Sequence, residues 1–172
     1  MEKQAVIGIL MGSDSDYPVM AEAAKVLKSF DVPYEMIVSS AHRSPVRTAE
    51  YASSAAQRGI KALIVGAGAA AHLAGVIASE TTLPIIGVPI DSSALQGMDA
   101  LLATVQMPGG IPVATMAIGK AGAKNAGIFA VQLLAVNDAP LAGKLIESRK
   151  EMAEAVAVKS DKLQQRLAED GL

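Results

Sequence analysis

The residues richest in chemistry lie in Ser39-Ser40-Ala41-His42-Arg43-Ser44-Pro45, between the apolar run Tyr34 to Val38 and an alanine-rich helical pattern. An imidazole that titrates near neutrality stands beside a permanent cation, with hydroxyls on both sides. Ser44 reads as a helix cap and Pro45 as the first turn of the helix, which puts His42 and Arg43 on a strand-to-helix turn rather than in a core. Turns at the carboxyl ends of strands are where open α/β sheets bind ligands. A turn histidine bonded only to backbone is the bland alternative; Ser40 and Arg43 favour chemistry without identifying the reaction.

Three other stretches have similar placement. Gly12-Ser13-Asp14-Ser15-Asp16 offers small residues, two hydroxyls and open backbone donors at a helix start, a nest suited to phosphate, with Asp16 able to accept hydrogen bonds from sugar hydroxyls. A simple capped helix would use the same residue types. Gly66-Ala67-Gly68-Ala69-Ala70-Ala71 imitates a dinucleotide fingerprint, but it follows the third strand and the chain has no room for a second nucleotide half plus a substrate domain. A close-approach turn, at which a small ligand meets backbone amides, explains these glycines better. His72 lies just beyond that turn, where it either caps the next helix or joins a site. Gly119-Lys120-Ala121-Gly122 lacks the spacing of a phosphate-binding Walker loop.

The elements that must position these residues follow from periodicity. Strands are expected over Ala5 to Met11, Tyr34 to Val38, Lys61 to Val65, Ile85 to Ile90 and Val113 to Ile118. Helical spacing covers Pro18 to Phe30, Pro45 to Gly59, Leu73 to Glu80, Leu95 to Val105 and Ala126 to Val136. Pro108-Gly109-Gly110-Ile111-Pro112 is a special turn. Five strand-helix alternations predict a parallel sheet covered on both faces, a flavodoxin-like three-layer α/β/α sandwich of strand order 2-1-3-4-5. Residues 1–172 read as a single catalytic domain. Its segment 140–168 is a C-terminal helical extension, one helix or two, expected to pack on a neighbouring subunit.

Composition narrows the function. A chain 51% hydrophobic and 19% charged, with net charge -2, is neither a disordered tail nor a basic nucleic-acid binder. Absence of cysteine excludes a disulfide scaffold and thiolate metal sites, and two histidines are too few for a His-rich zinc site. The start Met1-Glu2-Lys3-Gln4 leads straight into a strand without a leader or long apolar segment, so a cytoplasmic protein without membrane attachment is expected.

The chain resembles the N5-carboxyaminoimidazole ribonucleotide mutase family, the carboxylase or mutase component of de novo purine (IMP) biosynthesis. The resemblance runs from about Ile7 to Lys150 through Met11-Gly12-Ser13, Ser15-Asp16, Ser40-Ala41-His42-Arg43, Gly66-Ala67-Gly68, Ala71-His72-Leu73, Gly87-Val88-Pro89, Val105 to Gly110 and Ile118 to Gly122. It implies a homo-octamer that moves a carboxylate from nitrogen to carbon 4 of an aminoimidazole ribonucleotide, without metal, biotin, ATP or other cofactor. It further implies a phosphate and ribose site of Ser13, Ser15, Asp16 and Arg43, with Ser40 and His42 catalytic, and Gly68, His72 and Pro108 completing the pocket, partly across a subunit boundary. Transient contact with the upstream carbamate-forming synthetase belongs to the same expectation. Ala69 stands where glycine is expected, Ala74 where proline is, and Asp91 where glutamine is. The alternatives are direct carboxylation of aminoimidazole ribonucleotide by carbon dioxide and a noncatalytic flavodoxin-like nucleotide-binding protein. The latter is disfavoured because the ligand loops have no aromatic pair to sandwich a flavin.

Overall fold

The computed structural model describes residues 4–172, which form two compact units, one ending at Leu133 and the other Leu134–Leu172. In the first unit, five parallel strands, β1 (Ile7–Met11), β2 (Tyr34–Val38), β3 (Ala62–Gly68), β4 (Ile85–Ile90) and β5 (Ala114–Thr115), lie in the order 2-1-3-4-5. All of β1 and β4 is buried, as is β3 from Ala62 to Gly66. Strands buried on both faces need continuous apolar sequence rather than alternation, which IGILM and ALIVG supply. Ile7, Ile9, Leu63, Ile64 and Ile86 are sealed from solvent, each worth about 1.5–3 kcal/mol in transfer energy.

Helices α1 (Tyr17–Ser29), α2 (Pro45–Ala55), α3 (Leu73–Glu80), α4 (Met98–Val105) and α5 (Gly119–Ala135) connect or follow the strands. Ala52, Ala55, Leu73, Ala74, Ile77 and Ala78 pack with Leu10, Leu63 and Val65, which puts α2 and α3 on one face. On α5, a Cβ at Gly127 would lie 2.9 Å from the carbonyl oxygen of Ala23 in α1, so the glycine lets these two helices approach closely. Edge strand β2 is tied to α2 and the loop beyond it through Glu35. The Tyr51 hydroxyl donates to Glu35 Oε1 at 2.6 Å, Arg58 Nη1 donates to the same oxygen, and the guanidinium covers the Tyr51 ring at 4.5 Å.

Several boundaries differ from those expected. β3 continues through Gly68, so its glycines belong to strand rather than loop: Gly66 makes room for Met20, and a Cβ at Gly68 would fall 1.9 Å from Ser92 Oγ. β5 keeps only two paired residues, opposite Ile86 and Gly87. α4 starts at Met98 instead of Leu95 because Gln96 and Gly97 are both left-handed, with φ of 51° and 83°. α5 begins at Gly119, seven residues before the apolar pattern, where Gly122 packs on the carbonyl of Ala117.

The second unit is dominated by one unbroken helix, α6 (Ala139–Glu169). Asp138 caps it by accepting from the Leu141 amide at 2.9 Å, and Pro140 occupies its first turn. No helix among the described residues is long and apolar enough to cross a membrane.

Candidate active site

Parallel pairing brings the carboxyl ends of four strands together: Met11 lies opposite both Val38 and Gly66, and Gly68 lies opposite Ile90. The loops that follow surround a cavity of about 360 Å³, lined by Ser13, Ser15, Asp16, Ser40, His42, Arg43 and Gly68, together with Gly12, Ala67 and Ser92 among others. The sheet topology therefore gathers seven of the expected site residues from three separate stretches of chain.

The turn after β2 is braced by its own serines. Ser40 N donates to Ser44 Oγ (3.1 Å), Ser44 Oγ donates to the Ser40 carbonyl (3.0 Å), and the Arg43 amide donates to Ser40 Oγ (3.2 Å). Ser44 does stand at the N-cap of α2, but its hydroxyl faces back to Ser40 instead of capping the helix. Below it, buried Ser39 and Thr48 share a hydroxyl hydrogen bond of 2.8 Å that anchors the turn to α2. Arg43 Nη2 donates to the Gly12 carbonyl at 3.1 Å, joining this turn to the loop after β1. A guanidinium has five N–H donors, and this bond uses one of them.

In that first loop, residues Asp14–Asp16 make a 3₁₀ turn capped by Ser13, whose Oγ accepts from the Ser15 amide (3.3 Å) and from Ser15 Oγ (2.9 Å). Asp16 is buried, only 6% exposed. Burial pushes its carboxyl above the ordinary carboxylate value, hydrogen bonds from the Ser13 and Ser15 side pull it back, and the neighbouring Asp14 charge raises it again. A buried carboxylate at a cavity wall is well placed to accept from ligand hydroxyls, which replace the hydration it has lost.

His72 stands just past the turn after β3, at the N-cap of α3. Its Nδ1 lies 2.9 Å from His42 Nε2, with the rings edge to face at 5.0 Å and 87°. The two histidines thus form one hydrogen-bonded pair, of which His42 lines the cavity and His72 stands behind it without lining it. Pro108 is not among the residues lining it. Its carbonyl accepts from the Ile111 amide at 3.3 Å, and Gly110 and Ile111 line a separate cavity of about 930 Å³ with Phe129 and Leu83.

Two side chains at the site were missed in the sequence. Ser92 lies against Gly68, and the hydroxyl-rich tail after β4, resembling those after β1 and β2, was its signal. Arg47 lines an adjoining cavity of about 300 Å³ with Arg43, Ser13 and Ser44. Its position one turn into α2 made it look like an ordinary helix-surface residue. Ala69 has φ of 50°, a left-handed conformation that accounts for the glycine expected there. Among the described residues no group of three or more His, Asp or Glu side chains is arranged to hold a metal ion.

Known proteins similar to this chain share one family and one fold. The AIR carboxylase family profile matches residues 6–155. The N5-carboxyaminoimidazole ribonucleotide mutase of Bacillus subtilis is 55% identical over 160 residues, covering 93% of this chain and 99% of its relative. The protein of that name from Pyrococcus abyssi is 57% identical over 146 residues, covering 85% and 83%. The crystal structure of Treponema denticola PurE superposes with a TM-score of 0.82 at 26% identity, over 91% of this chain and 97% of that one. By profile, sequence and fold alike, the chain belongs to the AIR carboxylase family.

Proposed function

We propose that the protein is an isomerase of purine biosynthesis that converts N5-carboxyaminoimidazole ribonucleotide to its carbon-carboxylated isomer. The observation that carries this reading is the meeting of His42 and Ser40 with the Ser13, Ser15, Asp16 and Arg43 anchor around one cavity. Arg43 and the two serines hold the phosphate, and Asp16 accepts from the ribose hydroxyls. This leaves the aminoimidazole ring beside His42.

Cleavage of the carbamate C–N bond releases carbon dioxide into the pocket, and the nitrogen takes a proton from His42. The enamine-like ring carbon then attacks carbon dioxide. Loss of its proton to His42 restores aromaticity and returns the imidazole to its starting state. One proton has moved from carbon to nitrogen, and nothing has been oxidised. Ser40 and nearby amides orient the carboxylate.

The same reading includes a cytoplasmic homo-octamer whose C-terminal helix packs on a neighbour, with the Pro108 turn completing a site across the subunit boundary. It also includes brief contact with the synthetase that makes the labile carbamate. Direct carboxylation is the second reading, favoured by the family's carboxylase chemistry. In bicarbonate-depleted buffer, fresh carbamate substrate should give product faster than aminoimidazole ribonucleotide plus carbon dioxide does. Equal rates by both routes, fully dependent on added bicarbonate, would favour the carboxylase. His42→Asn is expected to retain substrate binding while turnover falls by about 10²–10⁴.

A further inference from the structure

We infer that His72 is a positioning residue for this reaction: its Nδ1 accepts the Nε2–H of His42, fixing His42 in the tautomer that leaves Nδ1 facing substrate. The inference rests on the reading of His42 as the proton carrier, and deepens it by assigning its two nitrogens. His72 stands at the N-cap of α3, yet its ring makes no cap hydrogen bond, so it is not used to finish the helix. Instead it meets His42 Nε2 at 2.9 Å.

The backbone carrying it is firmly held. Ala71 and Leu73 on either side are buried, the Ala71 and His72 amides donate to the carbonyls of Ala69 and Ala70, and the His72 carbonyl accepts from Val76. Among the described residues no hydrogen bond is made to His42 Nδ1, while its Nε2 is occupied.

The direction of the hydrogen bond follows from imidazole chemistry. Donation from His42 to His72 leaves both neutral rings with the proton on Nε2, the intrinsically commoner tautomer. The reverse direction needs the less common Nδ1–H form on both. The protonated His42 also carries an Nε2–H, so the same bond persists whether His42 is charged or neutral, and catalysis requires no rearrangement of the pair. Two protonated rings would have no acceptor between them, so the bond requires at least one neutral ring. Arg43 beside it disfavours a second positive charge and Asp16 in the same cavity opposes that effect. In the reaction Nδ1–H is given to the substrate nitrogen and Nδ1 later takes the carbon-bound proton, while Nε2–H remains on His42 throughout.

Histidine labelled with 15N gives signals from only two residues. At a pH where both rings are neutral, solid-state NMR of the wild-type protein should show the His42 proton on Nε2 and a hydrogen-bonded, unprotonated Nδ1 on His72. His72→Phe should abolish that bond, lower kcat about 10–100-fold with KM within about threefold, and move the acidic limb of the kcat profile. His72→Asn, whose amide oxygen can accept, should recover about tenfold of the loss. The inference is overturned by a proton on His42 Nδ1 in the neutral wild-type pair, by an unaltered pH profile in His72→Phe, or by a rise in KM alone. Wild-type protein that shows the bonded pair but no carboxyl transfer would instead defeat the proposed reaction.

Discussion

In the proposed site, Arg43 and Asp16 differ in what they do to stability. Arg43 spends one donor on the Gly12 carbonyl and sits on an exposed turn, so its removal should affect the ligand far more than the fold. Losing a charge-assisted contact of about 1.5–3 kcal/mol weakens binding about 10–100-fold. Arg43→Ala should therefore raise KM by that factor while Tm moves by less than about 2 °C, checked by steady-state kinetics and calorimetry. Asp16 is the converse. Its carboxyl holds a proton more tightly folded than unfolded because burial penalises the charge. Stability consequently falls as pH rises from the ordinary value of 3.8 through the raised folded value, and the loss persists at neutrality. Asp16→Asn should have a higher Tm than wild type at pH 7, with the gap closing on acidification toward 3.8. Its KM should rise about tenfold, since an amide is a weaker partner for ribose hydroxyls. A lower Tm at neutral pH would show that the carboxylate stabilises the loop.

At the scale of elements, the turn between β3 and α3 carries strain at Ala69. A left-handed alanine costs about 1–2 kcal/mol, while glycine gives back about 0.4–1 kcal/mol through the freedom of the unfolded chain. Ala69→Gly should raise Tm by about 1–3 °C and lower kcat a few-fold, because the mount of His72 loosens. A fall in Tm would remove strain as the explanation. The reasons some elements were legible in the sequence and others were not are equally local. β2 and α3 match their expected bounds because Pro33 and Pro84 fence the adjoining runs. The start of α5 was hidden because Gly119 and Gly122 look like breakers when read alone, whereas Gly122 serves the close approach to Ala117. β5 was over-read because Val113 to Ile118 has strand composition, but pairing needs a neighbour and β4 supplies one only to Ala114 and Thr115. At the site, polar residues just beyond strands could be recognised in advance. Which of them meet could not, since the His42–His72 contact spans thirty positions and depends on β1 lying between β2 and β3.

For the whole molecule, the arrangement of apolar surface bears on assembly. On and just before α4, Leu95, Met98, Leu102 and Val105 are all about half exposed or more, spaced so that the helical three form one stripe. A contiguous apolar stripe of this kind marks an interaction surface more often than a solvated face. In the proposed octamer it is covered by a second copy, and the loop from Asp91 to Gly97 joins it to Ser92 at the cavity. On that proposal, assembly and the site are coupled through this loop. With a chain mass of 17.6 kDa, light scattering on the wild type should return about 141 kDa, eight times that value. Leu102→Glu places a charge in the middle of the stripe, where burial without a partner is costly. Its mass should drop to that of smaller species, its circular dichroism should remain that of a folded α/β protein because the position faces outward, and kcat/KM should fall at least about tenfold. Retention of both the full mass and full activity in Leu102→Glu would show that this stripe is not where the subunits meet.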